Sequence, residues 1–145
     1  MQIRGYLPEA IQGVEWLSMG GSGFTACFPV YASVPEFPKY FSGTTETVST
    51  NHMYWHSRLI AALTDAYMGN ALLFDERYMN AVMNRGQQLL CQYDEQVLQG
   101  AAPEVLKEAN QKIADMVKEE SEKALAQILK NASEHMKIRY HRGDN

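Results

Sequence analysis

The chain has 145 residues, 46% of them hydrophobic and 21% charged, with a formal net charge of −4 and two cysteines, a profile that fits one globular domain of ordinary size. That balance supplies no cationic field for nucleic acid. No apolar run approaches the ~20 residues of a membrane-crossing helix, and residues 1–13 lack the long apolar segment of a signal peptide.

Two unlike halves meet near residue 50. Residues 14–19 (Val-Glu-Trp-Leu-Ser-Met) read as a strand, Gly20-Gly21-Ser22-Gly23 as a turn, and residues 24–31 (Phe-Thr-Ala-Cys-Phe-Pro-Val-Tyr) as a second strand. Pro29 marks an edge, a bulge or a strand end, because proline cannot donate to the ladder. Val34-Pro35-Glu36-Phe37-Pro38 cannot be regular, and residues 39–48 read as a Ser/Thr-rich loop.

A first helix is expected to start with Ser49, Thr50 or Asn51 as N-cap and to run to Met68, with Gly69 ending it. Trp55, Leu59, Ala62, Leu63 and Ala66 would form its buried face. A second helix is expected over 75–99, with a stripe of Met79, Val82, Met83, Leu89, Leu90, Tyr93 and Val97, ended by Gly100. Pro103 suits the first turn of a third helix. In that helix Val105, Ala109, Ile113, Met116, Val117, Ala124, Leu125, Ile128, Ala132 and Met136 recur at three- and four-residue steps towards Ile138. At 1.5 Å per residue it would reach roughly 50 Å, more than a small domain spans. Lys137, Arg139 and Arg142 give it a basic end that complements the helix dipole.

The overlong helix and the apolar side chains on both faces of the hairpin point the same way. Such surfaces are expected to need covering layers from outside the chain. The fold class is α+β: a β-hairpin, part of a larger sandwich, followed by three helices, the last one long. The whole of 1–145 reads as a single segment, with 1–48 in strands and loops and 49–145 helical.

No self-sufficient catalytic apparatus stands out. A phosphate cradle needs a helix directly after the glycine-rich turn, and here a strand follows. His52 and His56 have the four-residue spacing of a zinc helix, but Met53 stands where a metallopeptidase needs glutamate. They read as two partly exposed helix histidines. Cys27 and Cys91 read as free core thiols, neither with a base to activate it. The charges from Glu104 to Lys123 read as a solvated helix face rather than a coiled-coil seam. No catalytic, cofactor-binding or metal-binding residue is assigned.

Two stretches carry a resemblance. Val14-Glu15-Trp16-Leu17-Ser18-Met19-Gly20, then Phe24-Thr25-Ala26-Cys27-Phe28-Pro29-Val30-Tyr31 and Val34-Pro35, are similar to the late hairpin of the bacterial dipeptidase A family. Tyr54-Trp55 with Arg58 resembles its aromatic pair and arginine. The resemblance implies an N-terminal-nucleophile hydrolase with an αββα sandwich. In such an enzyme a cysteine at the mature N-terminus attacks a peptide carbonyl, with its own α-amino group as base. Met1 and Gln2 stand at the start of this chain, so the nucleophile is expected outside it. The resemblance makes the chain a C-terminal segment of a cytoplasmic, cofactor-free cysteine-type dipeptidase, inactive alone. Its partners would be the rest of that enzyme or further copies through the helices, and dipeptides would bind only the intact protein. The competing expectation is a non-enzymatic helical module that oligomerises or binds a partner.

Overall fold

The computed structural model describes residues 1–20 and 23–136. In chain order the elements are β1 (Gln2–Ile3), α1 (Glu9–Gln12), β2 (Gly13–Ser18), β3 (Cys27–Tyr31), α2 (Lys39–Ser42), α3 (Met53–Ala66), α4 (Met68–Leu98) and α5 (Val105–Glu134). The α+β reading holds, with a long last helix. The hairpin is enlarged by β1 into a three-stranded antiparallel sheet of order β1-β2-β3. The two-residue β1 and the one-turn helices α1 and α2 are too short to leave a periodic signal. For that reason 39–48 read as all loop, although Lys39–Ser42 is helical.

β2 and β3 pair with Val14 opposite Tyr31 and Leu17 opposite Phe28. Side chains alternate faces along a strand, so Phe28 and Val30 enter the larger core while Val14 and Tyr31 enter the smaller one. Phe28 stacks on Phe41 of α2, centroids 4.4 Å apart. Pro29 packs against Gly86 of α4 so tightly that a Cβ there would stand 2.6 Å from its ring. As its proline implied, β3 forms a sheet edge.

That edge is closed from within the chain. The Asn110 side-chain amide of α5 accepts from the Tyr31 N–H at 2.8 Å and donates to the Tyr31 carbonyl at 3.1 Å. It replaces a neighbouring strand for one residue, which suits a group buried with both donor and acceptor to satisfy. Beside it, the Tyr31 hydroxyl donates to the Leu90 carbonyl and to Asp94, and Arg4 pairs with Asp94, fastening the N-terminal arm to α4.

The helices correct several expectations. The N-cap of α3 is His52, with no side-chain cap, and its buried face is Met53, His56, Ser57, Ile60 and Thr64. Trp55, Leu59 and Leu63 are half-buried and Ala62 and Ala66 exposed. Polar residues line the inner face, so apolar periodicity alone pointed to the wrong stripe. α4 starts at Met68, with Gly69 non-helical (φ −36°, ψ −106°), so Gly69 marks a kink rather than a clean stop. Gly100, at φ +99°, follows α4 as expected, in the left-handed region that glycine enters without strain.

α5 buries Ala109, Ile113, Met116, Val117, Ala124, Ile128 and Ala132 from the expected stripe, while Met136 is exposed. The expected continuation to Ile138 and the basic group Lys137, Arg139 and Arg142 lie outside the described residues. α4 and α5 form an antiparallel pair, with α3 and β3 also against α5. The apolar stripe of the long helix is therefore covered by this chain's own α4, and both faces of β3 are buried. The expectation of outside cover is overturned for β3 and for most of the α5 stripe, whereas Trp16, Leu17 and Met19 of the hairpin are only half-buried. A 31-residue partner helix answers a 30-residue one. On the solvent side, Glu119–Lys123 and Lys118–Glu122 pair at i,i+4.

Candidate functional site

The hairpin end is where glycine-rich backbone, hydroxyls and a thiol meet. The Ser18 and Thr25 hydroxyls bond each other at 2.7 Å, and Cys27 stands opposite Ser18 in the ladder. Gly20 adopts φ +112°, and a Cβ there would meet the Ser57 Cβ at 3.0 Å and Thr25 Cγ2 at 3.2 Å. Only glycine satisfies both the backbone angle and the close approach. The turn is thus seated on α3, and the Ser57 hydroxyl beneath it is buried with no partner.

Cys27 does not have the setting of a nucleophile. It is half-buried, and burial raises its thiol pKa, partly offset by the Phe28 backbone N–H. A reactive thiol needs the opposite shift. Cys91 is exposed on α4, which corrects its assignment to the core. The preceding Leu89-Leu90 made that stretch look buried throughout, but Cys91 falls on the outer side of the turn.

The two histidines part company. His52 has extended backbone (φ −126°, ψ 137°), so the spacing argument, which requires both residues in the helix, does not apply. Its ring lies over Gly43, where a Cβ would stand 2.1 Å from Nδ1. His56 is buried rather than partly exposed, with Nδ1 2.9 Å from the Tyr40 hydroxyl. Desolvation lowers its pKa and favours the neutral ring. Deeper in, the Tyr78 and Ser121 hydroxyls bond at 2.9 Å, and Ser121 donates to the Val117 carbonyl at 2.7 Å. Burial pushes Tyr78 up to about 12 and raises Tyr40 as well. These groups hold helices together and keep their protons.

Asp75 of α4 is fully buried, and neither carboxylate oxygen has a partner. Burial, with Glu76 adding repulsion, pushes its pKa up to about 6. Nothing in its local sequence marks it as a site residue, because an aspartate inside an apolar stripe carries no motif. Among the described residues no three His, Cys, Asp or Glu side chains gather as a metal site, and no helix is long and apolar enough to cross a membrane.

Tyr54 and Trp55 meet edge to face at 5.3 Å, and Arg58 lies 5.7 Å from the Tyr54 ring centroid. The Trp55 indole donates to the Thr45 carbonyl at 2.7 Å. A surface hollow of about 280 Å³, lined mainly by Ala10, Val34, Pro35 and Pro103 with Glu36 and Lys107 at its rim, lies apart from the hairpin end.

Comparison with known proteins follows the same residues. The chain is 34% identical over 144 residues to a probable dipeptidase A of Streptococcus pyogenes serotype M3, covering 99% of this chain and 31% of that protein. It is 30% identical to a dipeptidase of Bifidobacterium longum, across 99% of this chain and 35% of the relative. To the dipeptidase A of Lactobacillus helveticus it is 26% identical, across 97% and 30%. The chain therefore spans about a third of the length of the curated relatives it matches. The model of peptidase family C69 matches residues 1–80, which include the sheet, the glycine-seated turn and the Tyr54–Arg58 cluster. This chain belongs to peptidase family C69.

Proposed function

We propose that the chain is the C-terminal segment of a cytoplasmic cysteine-type dipeptidase whose nucleophile, an N-terminal cysteine, lies outside it. The supporting observation is the mismatch between family and chemistry. The relatives are named dipeptidases, yet of this chain's two thiols one is raised by burial and the other is exposed on a helix. Of the described histidines, His56 is committed to the Tyr40 hydroxyl. In this reading the sheet joins an αββα sandwich, and the turn from Ser18 to Ser22, of which Gly21 and Ser22 lie outside the described residues, forms one wall of the substrate cleft. Gly20 and Ser57 fix where that wall stands, and dipeptides bind only in the assembled enzyme. Two unpaired thiols accord with a reducing compartment.

The test is a chimera in which this chain replaces the matched segment of the Streptococcus pyogenes relative. Dipeptide hydrolysis by the chimera, and none by the isolated chain, is the expected result. A folded but inactive chimera overturns the reading. Turnover by the isolated chain that Cys27→Ala abolishes would do so as well, and would return the nucleophile to β3.

A further inference from the structure

The two long edges of the sheet are not equivalent. Asn110 closes the β3 edge, whereas β1 pairs with β2 only through Gln2 opposite Val14 and Ile3 opposite Gly13. The direction of the remaining β2 groups follows from alternation. The Gly13 carbonyl accepts from Ala32, on the β3 side. Gly13, Glu15 and Leu17 therefore bond towards β3, while Val14, Trp16 and Ser18 point their N–H and C=O the other way. Val14 finds Gln2 there. Trp16 and Ser18 have no strand opposite them among the described residues.

Antiparallel partners step in opposite directions. Carrying the β1 register backwards sets the residue two places before Gln2 opposite Trp16, and the residue four places before it opposite Ser18. From these registers we infer that the free edge at Trp16–Ser18 is the docking site for the polypeptide that runs into Met1 in a longer protein. That polypeptide would extend β1 into a full-length strand. Continuity with an existing ladder favours this occupant over an unrelated strand. β1 already sets the direction and register, and the Trp16 indole already donates to the Gln2 side chain at 3.1 Å. Met1 and Ile3, 79% and 73% exposed, would lie along the new strand. The inference rests on the reading of the chain as one segment of a longer dipeptidase. It adds which edge of the sheet receives the rest, and in what register.

Amide hydrogen exchange tests it without any catalytic activity, so its failure is separate from failure of the chimera. The residues preceding the matched segment in the Streptococcus pyogenes relative would be fused before Met1. Exchange at Trp16 and Ser18 is expected to slow at least tenfold against the unextended chain, with amides of α4 and α5 unchanged as the control for folding. Proline at the two fused positions that face Trp16 and Ser18 is expected to remove the protection. Unchanged exchange in the fused protein overturns the inference. So does protection in the unextended chain that grows with its concentration, because a second copy would then be the occupant.

Discussion

The β3 side of the sheet and the β1 side solve the same problem in opposite ways. An unpaired strand edge offers its backbone to any other strand. On the β3 side, α5 supplies one asparagine amide, and proline removes one donor outright. On the β1 side, two residues cover the start of β2 and leave the rest open. Among the described residues, closure therefore goes with a helical cover on the β3 side, and openness with the β1 side, where they supply none.

Asn110→Ala should break the closed side most. It leaves the Tyr31 N–H and C=O buried and unpaired, at about 1–3 kcal/mol for each group, so a loss of roughly 2–6 kcal/mol is expected in urea unfolding. A loss below about 1 kcal/mol would mean that water reaches this edge. Gly86→Ala pushes a methyl against Pro29. Overpacking of this kind costs about 1–3 kcal/mol, offset by about 1 kcal/mol of helix propensity, so a net loss near 1 kcal/mol should appear in the same experiment.

Asp75 tests the helical cover through pH. Its folded pKa, about 6, lies above the ~3.9 of an unfolded aspartate, so the folded state holds the proton more tightly. Its contribution is fully favourable below pH ~4 and is lost as pH rises through 6. Asp75→Asn should flatten the stability profile across that window, and a difference profile that rises with pH instead would refute the sign. The smallest effect belongs to the open side. Gln2→Ala removes one exposed bond to Trp16, and a loss under about 0.5 kcal/mol is expected. A larger loss would show that β1 is held more firmly than its two ladder pairs imply.

Much of the fold was legible along the chain. Strand alternation located β2 and β3 to within a few residues. Gly100 set the end of α4, and the apolar steps of 105–132 located α5. The candidate site was legible only in part. Gly20 announced a turn, but nothing in the sequence around Gly20 points to Ser57, 37 positions away in number. Asp75, His56 and Thr64 occupy inner positions with no local sign of burial, because burial is conferred by whatever element packs across from them.

The amino-acid sequence by itself determined the class of fold, the turn glycines and the family, since each depends on local backbone preference or on short runs of residue types. Tertiary structure alone decided that α4 covers α5, that Asn110 stands in for a strand at Tyr31, and that no described strand lies opposite Trp16 and Ser18. Those outcomes join residues far apart in number, and which groups remain without partners is known only when every neighbour has its place.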